Sequence, residues 1–577
     1  MSAPGVVNVP SPSVLLLLPS QNRTPSHTQG LNGRARRFRI VNAAGQTTDA
    51  LIKSEGAGKC PMSAVLSRAA DLSGGQHVGQ RSKQEANAMS GAVAPGPAPL
   101  GLESAIDVSK IVLHGIQDAM LQYFAKYGPV CRFANPVDLN GAAGWLMING
   151  PEDVRHVNAS NVANYTDRYL PDIYKWVTNE KGILGSQGDY NKRHRRLCQP
   201  TFRKPALLEA FSEVVARRSL QISETIASHG SLVDIDVATQ MQRLTLDIVG
   251  EVAFSYDFKQ AQRIESELQG ATAAQQEQAN DALLHAVNEF GEVMSQVFVT
   301  PMPLLRLMNA MGMPQLKTLE GSLEVIRSTM LEVVAERRQD MAKDPGLQMN
   351  DLLGQLMTAT DDEGRGATDE ELWHDVHDIM GAGHETTATT AAATIYCIGA
   401  HPEVEQRVAA ELKALPDGKL PCYSDLQEKL PYLTQVVKEV LRLYPPIPLF
   451  PRLAAADDVL PSGYAVQAGD VVFMSSYTLG RDPRIWADPL TFNPDRFSPE
   501  EEQARHPCAW LPFGAGPRMC LGAGFAQMSV TLMAAAMLQH CTFTPIRPTS
   551  QLLPIDYDIT LNFNRTKGLK MRVEARH

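Results

Sequence analysis

Phe513-Gly-Ala-Gly516-Pro-Arg518-Met-Cys520-Leu-Gly522 is the stretch on which the reading of this chain turns. Three glycines around one cysteine allow tight turns and the close approach of a flat partner. Arg518 sets a fixed positive charge two residues before the sulfur. An apolar helix-forming run, Phe525–Leu538, follows directly. Cys520 is therefore expected just ahead of a helix N-terminus, where the dipole and free N–H groups favour thiolate over thiol. A thiolate held by backbone donors beside an arginine suits axial ligation of haem iron. A buried cysteine in a Gly-rich loop is the plainer reading. Five positions at fixed spacing (Phe513, Gly516, Arg518, Cys520 and Gly522) weigh against it.

Outward from that loop, composition narrows the class. The chain has 577 residues, 44% hydrophobic and 20% charged, an ordinary globular balance. Its net charge of −10 argues against general nucleic-acid binding. Eight cysteines without regular spacing make no disulfide framework. No apolar run reaches 18 residues, so no transmembrane helix is expected.

The first 48 residues hold five Arg and no Asp, Glu or Lys, leaving 48 basic against 63 acidic residues beyond them. An Arg- and Ser-containing, acid-free leader reads as a transit peptide. Residues 49–107, Ala/Gly/Pro-rich and ending in Ala92–Pro99, read as a disordered linker. From 108 to 577 the pattern is one large, mainly α unit with small β-sheets. Its clearest helix is Thr368–Ala400. Thr368 with Glu371 forms a capping box, and Gly399 and Pro402 close the far end. At 1.5 Å per residue the helix is roughly 48 Å long and must cross the interior.

With these residues in place, the chain resembles the cytochrome P-450 family over about 108–577. The loop around Cys520 matches the family's cysteine-ligand loop. Ala382-Gly383-His384-Glu385-Thr386-Thr387, inside the long helix, matches its oxygen-binding motif. Glu439 and Arg442, followed by Tyr444-Pro445-Pro446, match its buried charged pair. Arg496, in Phe492-Asn-Pro494-Asp-Arg496-Phe497, completes that cluster, and Trp486 and Pro489 fit the same segment. The basic run Asn191–Arg196 could pass for a nuclear-localisation patch. Followed by Pro200 and Phe202, it resembles instead the family's third helix.

The resemblance implies the P-450 fold, with haem b between the long helix and the cysteine loop. It implies Cys520 as axial thiolate, and Arg195, Arg452 and Arg518 as cations for the haem carboxylates. The Trp usual in the third helix is replaced by Asn191. Thr386 and Glu385 are implied in O2 handling and proton delivery. Gly383 is expected to leave room there, and His384 to pack. The implied reaction inserts one oxygen atom into a C–H bond of a lipophilic substrate. Electrons come from a separate donor, ferredoxin or an NADPH-dependent reductase. Two rivals are a hydroperoxide-rearranging member and a non-catalytic haem-binding protein; an intact Glu385-Thr386 pair disfavours both.

For substrate, Ile447–Phe450, Asn562–Phe563 and Tyr165–Gly182 are expected near the pocket. The Met-rich Thr300–Pro314 fits either a lid loop, allowing peripheral membrane contact, or a packed connector. With the leader, these features look most like plastid members that hydroxylate carotenoids or other long lipids. The alternative locations are the mitochondrion and the endoplasmic reticulum surface.

Overall fold

The structure, a computed structural model, describes residues 91–96, 116–133, 144–229, 233–268, 282–298, 300–344, 351–416, 419–546, 553, 555–557, 561–563 and 568–576. Within the first ninety residues it describes only the strands Leu17–Leu18, Arg36–Val41 and Thr47–Ile52. The transit-peptide reading and most of the linker thus fall outside the described residues.

Helices dominate. Those that frame the site are α1 (Asp172–Thr178), α2 (Gly188–Cys198), α3 (Val237–Phe254), α4 (Met302–Ala310), α5 (Asp369–Ala400), α6 (Pro431–Leu443) and α7 (Ala523–His540). The capping box at Thr368 and Glu371 is present, and α5 runs 32 residues from it. Its second half, Thr387–Ile398, is buried throughout among α3, α6 and α7. A helix this enclosed needs small residues, and Ala391, Ala392 and Ala393 meet that need without leaving voids. Gly399 does not stop α5. A Cβ there would lie 2.1 Å from Phe543 O, so the glycine admits a neighbouring strand.

One four-stranded mixed sheet stands beside the helices. It contains β1 (Val130–Phe133), β2 (Trp145–Ile148), β3 (Leu449–Leu453) and β4 (Val471–Ser475), in the order β1-β2-β4-β3. Only β2 and β4 are parallel. The register sets Arg452 opposite Val472 and so fixes where that cation projects from.

The end of the supposed linker is not linker. Ala92 exchanges backbone hydrogen bonds with Gly463 and Ala465, both at 2.8 Å, and Arg132 N–H donates to Pro95 O at 2.9 Å. Ala94 is buried, and a Cβ on Gly96 would collide with Arg132 O. Residues 91–96 are a strap on the folded unit. Their Ala/Gly/Pro composition serves close backbone approach rather than flexibility. Among the described residues, no helix is long and apolar enough to cross a membrane.

Candidate active site

The Cys520 loop closes on itself. Cys520 N–H donates to Phe513 O (2.9 Å), Met519 N–H to Gly516 O (3.0 Å) and Gly514 N–H to Leu511 O (3.1 Å). Gly516 has φ +68°, and a Cβ there would sit 1.9 Å from Asn158 O, so only glycine fits. Phe513 packs edge-on against Trp510. Gly522 caps the start of α7, two residues past the sulfur.

Cys520 has open surface, yet protein encloses it on most sides. That enclosure is the dominant influence on the thiol and pushes its pKa up, against the expectation of a favoured thiolate. The N–H of Gly522 and the charges of Arg168 and Arg195 pull the other way. Arg518 does not serve the sulfur. Its Nη2 donates to Ser186 O (2.9 Å) and Gln187 Oε1 (3.1 Å). The helix start is where the sequence places it; the desolvation, invisible in sequence, outweighs it.

Around the thiol, Arg168, Arg195, Arg452 and Arg518 converge. Arg195 Nη2 donates to Met519 O (2.7 Å), and Arg168 Nη2 to Arg518 O (3.1 Å). Arg452 reaches only Pro451 O (3.0 Å) and Asn158 Oδ1 (3.5 Å). Among the described residues, no carboxylate forms an ion pair with any of the four. Burial, Arg168, Arg452 and Arg195 push Arg518 down to about 9, and burial and Arg168 do the same to Arg452. Arg518 Nε is buried with no partner. A cation set at least half-buried, with no ion-paired carboxylate among the described residues, fits an anionic ligand beside the thiol, as a dicarboxylate haem requires. Arg168 was not legible as a member. It stands in the aromatic-rich segment 165–182, where nothing local marks it.

Midway along α5, Gly381 and Ala382 are exposed, while the residues around them are buried or half-buried. Thr386 Oγ1 donates to Ala382 O (2.6 Å), one turn back on the same face, and Glu385 is half-buried beside it. Gly383 corrects the expectation placed on it. A Cβ there would meet Val249 of α3 at 3.2 Å, so it serves helix packing, while Ala382 takes the open side. His384 packs as expected: buried, Nε2 3.0 Å from Gln242 O, and pushed down to about 4 by burial.

The three supporting charges meet. Arg442 donates from Nε to Glu439 Oε2 (2.6 Å) and from Nη2 to Glu439 Oε1 (2.8 Å). Arg496 Nε lies 3.5 Å from Glu439 Oε1. Asn493 N–H, Pro489 O and Thr491 O supply further bonds, and Arg442 lies over Trp486.

Apart from Arg195, the basic run on α2 is taken up by acidic groups of the same chain. Arg193 pairs with Asp361 and Glu371, His194 with Asp375 (2.6 Å), and Arg196 with Asp362. Asn191 Nδ2 donates to Ile183 O (2.7 Å) and Ser186 Oγ (3.2 Å), neither of them a cofactor edge. Among the pocket expectations, Phe563 is buried in the main core and Phe450 lies against Gly514 of the loop. Tyr165 is fixed by a bond to Asp458 (2.7 Å). Thr300–Pro314 is not a loop: Pro301 and Met313 cap two helices, with Pro303 and Pro314 in the first turns, a position where proline is favoured.

The helical fold, the thiol loop and its cation set fit a haem-iron oxygenase. The sequence model of cytochrome P450 matches residues 103–567. Human cytochrome P450 4F12 is 28% identical over 70% of this chain and 76% of its own. The Arabidopsis thaliana protein LUTEIN DEFICIENT 5, chloroplastic, is 26% identical over 79% of this chain and 74% of its own. A solved cytochrome P450DA heme domain superposes with a TM-score of 0.70 at 22% identity, covering 85% of this chain and 98% of that one. The chain belongs to the cytochrome P450 family and is a monooxygenase of that family, using haem iron, O2 and a redox partner.

Proposed function

We propose that this chain hydroxylates C–H bonds of a long lipophilic substrate, a carotenoid first, with Cys520 as the axial thiolate. The carrying observation is the cation set without a counter-charge beside a reachable thiol. Arg168, Arg195, Arg452 and Arg518 would hold the two carboxylates of haem b. Bound there, the haem supplies O2 activation, which thiolate ligation promotes. The chain's residues do the rest. Gly381 and Ala382 keep the helix face clear. Thr386 Oγ1, its hydrogen on Ala382 O, keeps its lone pairs for an incoming O–H. Glu385 passes protons inward from solvent. The loop's glycines position the sulfur, and the Glu439–Arg442–Arg496 cluster braces the segment below it.

On α4 and the residue after it, Leu304 (46% exposed), Leu307 (48%) and Met311 (61%) share one face, which suits shallow contact with a lipid surface. The relative named for lutein and the chloroplast, with the acid-free leader, supports a plastid location and a carotenoid substrate. Ferredoxin is then the donor. Cys520→Ala tests the ligand: the ferrous–CO complex is expected to lose the thiolate-type Soret band. Its persistence would refute the assignment. A type I spectral shift with carotenoids, but not with fatty acids, tests the substrate.

A further inference from the structure

The turn between α1 and α2 is held by side chains from four places, and two of them have no part in the scheme above. Leu184 N–H donates to Asp378 Oδ2 of α5 at 2.7 Å, and Tyr174 OH reaches Asp378 Oδ1 at 3.4 Å. Asp378 is buried, with His377 Nδ1 3.6 Å away. Gly182 has φ +76°, and a Cβ there would lie 2.4 Å from Asp378 Oδ2, so the backbone comes as near the carboxylate as a glycine allows. From the other side, Asn191 of α2 ties Ile183 O and Ser186 Oγ. The remaining polar groups of the turn face the cation set. Arg168 Nη1 donates to Leu184 O (3.0 Å), and Arg518 donates to Ser186 O and Gln187 Oε1. Gln187 also exchanges two bonds with the Arg168 backbone.

We propose that Asp378 and Asn191 are positioning residues that latch the turn Gly182–Gln187 between α5 and the cation set, and thereby hold Arg168 and Arg518 in place for the cofactor carboxylates. Position 191 thus serves the turn instead of a cofactor edge. The physical case is one of accounting. A buried carboxylate needs donors, and the Leu184 N–H of this turn is one that Asp378 takes. If that bond is lost, the turn moves, and the acceptors of Arg518 move with it. The inference rests on reading the cations as cofactor-carboxylate ligands.

The test follows haem transfer from the full-length holoprotein to excess apomyoglobin, with the ferrous–CO spectrum recorded alongside. Asp378→Ala and Asn191→Leu are each expected to speed haem loss on the order of tenfold, the scale of one lost buried hydrogen bond. Asp378→Asn keeps an acceptor for Leu184 N–H and is expected to stay near wild type. A double variant, Asp378→Ala with Asn191→Leu, is expected to be no worse than the poorer single one, because one latch can open only once. Arg518→Ala is the control for the underlying reading. If Arg518→Ala speeds haem loss while Asp378→Ala and Asn191→Leu do not, the latch is wrong and the carboxylate reading stands. If Asp378→Asn is as fast as Asp378→Ala, or the double variant is additive, the latch is also wrong. If Arg518→Ala leaves the rate unchanged, the carboxylate reading falls, and the latch's function with it.

Discussion

Two arginine-containing clusters, each at least half-buried, are built on opposite principles. In the first, Glu439, Arg442 and Arg496 answer one another, and backbone carbonyls take up the spare donors. It is complete within the chain. In the second, Arg168, Arg195, Arg452 and Arg518 face one another with no carboxylate partner among the described residues, and burial works against their charge. The proposed cofactor carboxylates would complete it. The closed cluster is architecture, and the open one is the proposed cofactor site. The local chemistry, buried arginine, is the same in both.

The contrast can be broken most forcefully at Glu439. Glu439→Ala strands Arg442 in the core and is expected to cost about 3–5 kcal/mol in chemical denaturation. A loss below 1 kcal/mol would mean that the cluster is ornamental. His384 handles burial a third way, by shedding its charge. Its folded pKa of about 4 lies below the ordinary ~6.5. Between those values the unfolded chain binds more protons, so stability is full above about pH 6.5 and falls as pH drops toward 4. Its share of the loss is about 3 kcal/mol. His384→Gln should flatten the pH dependence of the urea midpoint in that window; an unchanged slope would remove His384 as its source.

Arg452→Leu sharpens the comparison from the open side. Removing an uncompensated cation should leave the haem-free protein no less stable, while haem affinity weakens by about 1–3 kcal/mol. A large loss of haem-free stability would class this cluster with the closed one. Thr386→Ala touches neither cluster. Stability should stay within about 0.5 kcal/mol and haem should be retained. Product formed per NADPH consumed should fall roughly tenfold or more. Unchanged coupling would take Thr386 out of proton delivery.

Much of this was legible because it is local. The capping box, the Glu439–Arg442 spacing, the glycine pattern around Cys520 and the start of α7 are each set within a turn or a short loop. Other points were misread for want of neighbours. Gly383 looks like room for a ligand until Val249 is seen against it. The Ala92–Gly96 stretch looks flexible until Gly463 and Ala465 are seen to pair with Ala92. Thr300–Pro314 looks broken by prolines that in fact begin helices.

By itself, then, the sequence determined the turns of the cysteine loop, which helix crosses the core and which charges pair beside it, since short-range geometry follows from residue order. Only the tertiary structure decided that Arg168 joins the cations, that Asn191 bonds a turn and that protein encloses the Cys520 sulfur on most sides. Those depend on what other parts of the chain bring within a few ångströms and on how far they exclude water. Neither is written in any short stretch of the chain.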